Sequence, residues 1–130
     1  MIALDTNVII RALTQDEPRQ ARKAAAVMRS GPTFVPKTVL IEVEWVLRKA
    51  YGFAPRAIND GLRKLVGMEG LEVEDRAAII HALAWHADGM DLADAVHLAS
   101  SAAAVAFATF DAEFEKDARR AGAAPPVRLL

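Results

Sequence analysis

Short apolar runs alternate with helical stretches from one end of the chain to the other, and this alternation constrains the fold more than anything else. Met1–Leu4, Thr33–Val35, Leu71–Val73, Val105–Phe110 and a terminal run around Pro125–Leu130 read as strands. Between them lie helical patterns: Val8–Leu13, Arg19–Arg29, Thr38–Tyr51, Pro55–Val66, a segment through His86 opened by Asp75, Asp91–Ala104 and Ala112–Ala121. Strands separated by helices form parallel sheets, because a parallel neighbour needs a crossover long enough to hold a helix. The expected fold is therefore α/β, with helices on both faces of a central, mainly parallel sheet of four to five short strands. At 130 residues, with no linker or repeat, the chain reads as one domain over 1–130.

The boundaries follow local chemistry. Pro18 behind Asp16-Glu17 opens a helix with acids at its positive end. Gly52 and Gly67 close the helices that precede them, and Asp75 stands where a cap is needed. In the segment after Asp75, Ala77, Ile80, Ala84 and Ala87 recur at helical spacing. The absence of Cys removes disulfides, thiol nucleophiles and Cys-based zinc sites. With 16 basic and 17 acidic residues the chain is not a strongly basic nucleic-acid coat protein, although net charge does not say where the charges sit. No apolar run approaches the ~20 residues a bilayer span needs. The N-terminal run lacks a basic flank and is broken by Asp5, so no signal peptide is expected and a cytoplasmic location is.

Two strands end alike, in an Asp followed by a helix: Asp5 after Ile2-Ala-Leu4, and Asp111 after Ala106–Phe110. Ligands of open α/β sheets gather outside the carboxyl ends of the strands, so these two acids would share a crevice if 1–4 and 105–110 were parallel neighbours. The ordinary role of one such Asp is to cap its helix, and capping accounts for either taken alone. Asp91 and Asp94 have capping-box spacing, and Asp94, His97, Leu98 and Ser101 share one helix face. On the 38–51 helix, Glu42 and Glu44 flank a stripe of Val39, Leu40, Val43, Val46, Leu47 and Ala50 about equally, so periodicity does not choose between them. Ile41 and Trp45 face the other way, as core or as a self-association surface. His81 and His86 read as surface or packing residues, and Trp45 and Trp85 as core, with stacking on bases as the alternative. Arg11, Arg19, Arg22, Lys23 and Arg29 form a basic face in the first two helices, ordinarily solvated. Arg11, one helix length from Asp5, is its best candidate for a phosphate contact. Lys37, Arg119 and Arg120 are weaker ones.

Leu4-Asp5-Thr6-Asn7-Val8, Glu42 with Trp45-Val46-Leu47, Asp91-Leu-Ala-Asp94-Ala-Val-His97-Leu-Ala99 and Thr109-Phe110-Asp111, taken in order, resemble the PIN-domain family, and most closely its VapC toxins. The resemblance runs over essentially the whole chain. It implies a metal-dependent endoribonuclease whose acidic quartet is Asp5, Glu42, Asp94 and Asp111, and it selects Glu42 over Glu44. Thr6, Asn7 and Thr109 then support the quartet, Asp91 is an auxiliary acid, and Arg11 and His97 are possible RNA contacts. The implied cofactor is Mg²⁺ or Mn²⁺, a hard cation that relieves repulsion among clustered carboxylates and activates water for attack on a phosphodiester. The implied partners are an RNA substrate, a VapB-like antitoxin and a second copy of the chain, with no membrane. A housekeeping PIN nuclease in RNA processing and a non-catalytic PIN-like binding module are the alternatives. Sites of the haloacid-dehalogenase or response-regulator kind are disfavoured, since position 7 is Asn and no adjacent acidic pair follows the first strand. With the quartet committed to metal, basic residues outnumber the acids that remain, giving an acidic pocket in a mildly basic body.

Overall fold

The computed structural model describes residues 1–130, which divide into two compact units, Met1–Glu74 and Asp75–Leu130. The first unit contains β1 (Ile2–Ala3), α1 (Thr6–Thr14), α2 (Pro18–Arg29), β2 (Thr33–Val35), α3 (Lys37–Lys49), α4 (Pro55–Val66) and β3 (Leu71–Val73). Its strands form a parallel sheet in the order β1-β2-β3, with Ile2 opposite Thr33 and Val35 opposite Val73. The β2 run suits its place: Thr, Phe and Val favour a pleated surface, and Pro32 and Pro36 bound it. Each crossover is a helix pair, so α1 packs on α2 and α3, and α3 on α4. Leu4, Ile9, Ile10, Val35, Leu40, Val43, Ile58, Leu62 and Leu65 are buried. Pro36 begins α3 without a side-chain cap, and Glu74, just past β3, supplies one by accepting from the Lys37 backbone N–H at 2.9 Å.

The second unit contains α5 (Arg76–Ala87), α6 (Leu92–Ala99), β4 (Phe107–Thr109), α7 (Ala112–Ala121) and β5 (Val127–Leu129). β4 and β5 are parallel, joined through α7, with Phe107 opposite Val127. The neighbour of β1 is thus β2 and that of β4 is β5, which is not the 1–4 with 105–110 pairing considered above. α5 and α6 pack on each other, and Ala78, Ile79, Ala82, Leu83, Ala95, Val96 and Leu98 are buried. The fold is α/β with every strand pair parallel, as the alternation in the sequence requires.

Three local expectations are corrected. α6 stops at Ala99 and not Ala104, although the next residues are mostly Ala. Ser101 Oγ donates back to the His97 carbonyl at 2.9 Å, and the Ser101 N–H tightens to the Leu98 carbonyl, so the last turn closes on itself. In α5 the buried stripe is 78, 79, 82, 83 and 86, while Ile80 is exposed along with Ala77, Ala84 and Ala87. That helix is apolar nearly all round, so spacing alone did not select the inner face. Asp75 occupies the N-cap of α5 in a left-handed conformation, φ 51°, without a side-chain cap hydrogen bond.

Candidate active site

The first unit gathers Asp5, Thr6 and Glu42. Asp5 leaves β1 in extended geometry and caps α1, its Oδ1 accepting from the Thr6 N–H at 2.8 Å. The cap engages that one oxygen and leaves the carboxylate exposed. Thr6 is 4% exposed, and its hydroxyl donates to Glu42 Oε1 in a short hydrogen bond that ties the start of α1 to α3. Glu42 is otherwise exposed. The even placement of Glu42 and Glu44 about the α3 stripe is corrected. The buried face is Leu40, Val43, Glu44 and Leu47, with Val39 and Val46 half-buried and Ala50 exposed. Glu44 therefore lies within the core face, 4% exposed, and its charge is met one turn on by Arg48 Nε at 2.8 Å. A carboxylate so buried and paired is committed to the fold.

Asn7 is exposed and lines a groove of about 210 Å³ between α1 and α2 with Arg11, Gln20 and Lys23. Arg11 itself is engaged: its guanidinium donates to Gln20 Oε1 at 2.7 Å and the Tyr51 hydroxyl at 2.9 Å, and it pairs with Asp16 at 3.2 Å. The Asp16 carboxyl is held below its usual range, first by the Tyr51 hydroxyl, then by Thr14, with Arg11 adding its charge. Arg11 thus links α1 to α2 and to the end of α3. Trp45, read from sequence as core, is 53% exposed on the same side of α3 as Glu42, because the inner face of that helix is filled by Leu40, Val43, Glu44 and Leu47. Trp85 is half-buried and stacks with exposed His81 at 5.9 Å, and His86 is buried.

The second unit gathers the other acids. Asp91 caps α6, its Oδ2 accepting from the Asp94 N–H at 3.1 Å, which sets Asp94 in the first turn. Asp111 leaves β4 and caps α7 through Oδ1, which accepts from Glu113 N at 3.0 Å and Phe114 N at 3.2 Å. Thr109 supports it by accepting the Asp111 N–H on Oγ1 at 3.0 Å. Half-buried Asp94 is pushed up to about 6, chiefly by burial and then by the negative charges of Asp91 and Asp111. His97, exposed one turn along α6, offsets part of that repulsion, and Asp117 adds to it. Asp117 was not singled out in the sequence. It sits six residues into α7 and pairs with Arg120 at 2.9 Å, and only the packing of α7 brings its charge to bear on Asp94. Its place one turn on from Phe114, at i+3, was the available signal.

A carboxylate raised by burial and by neighbouring carboxylates is one whose charge a cation would stabilise. The donors are hard oxygens, which suit Mg²⁺ or Mn²⁺. No group of three or more His, Asp or Glu side chains is drawn together as a ready cage for a metal ion. A hydrated cation held by one or two carboxylates and several waters, as Mg²⁺ usually is, would need no such cage. No helix is long and apolar enough to cross a membrane. No curated protein matches the chain. The PIN domain family profile matches residues 2–119, spanning both sets of acids, and the chain therefore belongs to the PIN domain family, whose members are generally nucleases.

Proposed function

We propose that the protein is a Mg²⁺- or Mn²⁺-dependent endoribonuclease whose chemistry is carried by Asp5, Glu42, Asp94 and Asp111. The observation that carries this reading is Asp94, a carboxylate raised first by its burial and then by Asp91 and Asp111, in a chain of a family whose members are generally nucleases. A bound divalent ion would supply charge neutralisation and a polarised water for phosphodiester hydrolysis. Within the chain, Asp5 and Asp111 each spend one oxygen on a helix cap and keep the other to offer to a cation. Thr6 positions Glu42, Thr109 positions Asp111, and Asp91 fixes the turn that presents Asp94. Asn7 supports the first carboxylate, and Arg11 and exposed His97 are the candidate contacts with RNA.

The motif order that resembles VapC supports a narrower reading: a toxin acting on RNA in the cytoplasm, restrained by a VapB-like antitoxin, with all 130 residues forming one PIN domain. We assign its homodimer surface to the outer face of α3, where Trp45 is exposed and Ile41 half-buried. The test is to incubate total RNA with wild type, Asp5→Asn and Asp94→Asn, with Mg²⁺ or with chelator, and sequence the new 5′ ends. Metal-dependent cuts by the wild type that both variants lack are expected. Undiminished cutting by both variants would sink the assignment. Growth arrest on expression, relieved by a small partner encoded beside it, is the outcome expected of a toxin.

A further inference from the structure

Phe110 is 84% exposed at the carboxyl end of β4, directly before Asp111. It stands one residue beyond β4 and continues the alternation of that strand, which explains the exposure but not the residue. Along 107–110 burial alternates: Phe107 and Thr109 are half-buried, Ala108 and Phe110 exposed. The inward ring, Phe107, stacks on Phe114 of α7 at 5.2 Å and does the packing this strand requires. An outward position on a short strand ordinarily carries a polar residue, so a phenyl ring there contributes nothing to the core and exposes apolar surface. Departures of this kind from the local pattern concentrate at functional sites.

The ring is also mounted on a fixed stem. Thr109 Oγ1 accepts the Asp111 N–H, and Asp111 Oδ1 holds two backbone N–H groups of α7, so both neighbours of Phe110 are pinned. β4 is itself held by β5 through Phe107–Val127 and Thr109–Leu129 pairing. An exposed aromatic on a pinned stem, next in sequence to Asp111, matches one chemistry well: a nucleobase whose phosphate is drawn to a cation that this carboxylate helps to bind. Stacking uses the π-face that every base has and is worth about 1–3 kcal/mol per base. Leu129, paired with Thr109, and Leu130, whose N–H donates to the Thr109 carbonyl at 2.9 Å, are exposed as well, so a protein partner is the competing occupant, and substrates lacking one base separate the two.

We infer that Phe110 is a substrate-positioning residue, a platform on which one base of single-stranded RNA stacks next to the bond being cut. This rests on the nuclease reading above. It adds that substrate is unpaired at this position, because a base inside a duplex has no free face to offer.

A cycle between protein and substrate tests it. The probe is an oligoribonucleotide that the wild type cuts in Mg²⁺, together with a series carrying one abasic site at each position around the cleaved bond. For the wild type, one abasic position lowers kcat/KM by roughly 5- to 100-fold, the range that stacking energies imply. Phe110→Ala suffers a similar loss on the intact RNA, mainly in KM, and no further loss from the abasic site at that position. Phe110→Trp restores both activity and sensitivity to the abasic site. A merely structural role for Phe110 gives losses that multiply, with the abasic penalty unchanged in Phe110→Ala, and that result overturns the inference while leaving the nuclease reading in place. Equal cutting of intact RNA by wild type and Phe110→Ala overturns it as well and turns the exposed ring over to a protein partner. Absence of any metal-dependent cutting by the wild type removes the nuclease reading and this inference together.

Discussion

Asp94→Asn should make the metal-free protein more stable while removing its response to metal. The folded chain ionises Asp94 only near 6, whereas the reference carboxyl ionises at 3.8. Between those values the folded state holds a proton that the unfolded chain has released. Stability therefore falls as pH rises from about 4 to about 6, and the loss persists above that window. The full displacement corresponds to about 3 kcal/mol. Asp94 is only half-buried, and solvent screening reduces this to about 1 kcal/mol. Asn keeps the shape of the side chain and drops the charge, so the repulsion from Asp91, Asp111 and Asp117 disappears with it. Thermal unfolding in chelator at about pH 7.5 should show the variant melting about 3–5 °C above wild type, given how melting points scale with chain size. At about pH 4 the two should coincide. Adding about 10 mM Mg²⁺ should stabilise the wild type by about 1.4 kcal/mol for a dissociation constant near 1 mM, and the variant far less. An Asp94→Asn protein less stable than wild type at about pH 7.5 in chelator, or a gap that does not vary with pH, would refute the electrostatic reasoning.

Other perturbations separate structural from chemical roles. Arg48→Met leaves the Glu44 carboxylate buried without its 2.8 Å partner and should cost about 2–3 kcal/mol in urea unfolding, part of which Glu44→Gln in the same chain recovers. Thr6→Val keeps the buried volume but deprives Glu42 of its donor. Cleavage should drop about tenfold, as expected for a lost hydrogen bond to a charged group, with the fold retained by circular dichroism. Trp45→Glu should shift the protein from dimer to monomer in sedimentation, without moving its melting point by more than a few degrees.

The parts of the fold that were legible in the sequence are those where one physical signal dominates. Strands such as Thr33–Val35 stand between prolines, and helices such as α2 and α7 open on a side chain that does cap them, Glu17 and Asp111. The parts that were not legible are those where two signals tie. α5 is apolar on both faces, so packing against α6 decides which stripe is buried. The Ala run after α6 favours a helix by propensity, and one serine hydroxyl returning to His97 ends it. In α3 a charged residue occupies the core face, which no hydrophobic count anticipates. Only the Arg48 partner, itself unremarkable as an i,i+4 neighbour, makes Glu44 tolerable there. Arg11 is the converse case. Asp16, Gln20 and Tyr51 converge on it from positions up to 40 residues away while its side chain stays partly exposed, and sequence spacing carries no record of those partners.

Capping and metal chemistry were set against each other in the sequence, yet the geometry makes them compatible. Asp5 and Asp111 use Oδ1 alone for the backbone N–H groups of α1 and α7. The capped oxygen locks the rotamer, and the same locked rotamer aims the second oxygen, so the cap is what pre-orients the donor. The choice of substitution then decides what is learned. Asn is as good a cap as Asp, so Asp111→Asn should keep α7 and its stability while losing the anionic donor. Asp111→Ala should lose about 1 kcal/mol of stability as well. If Asp111→Asn retained full metal-dependent cleavage, Asp111 would be a cap and nothing more. If Asp111→Ala and Asp111→Asn were equally stable, the cap itself would contribute nothing, and the argument that it aims the carboxylate would fail.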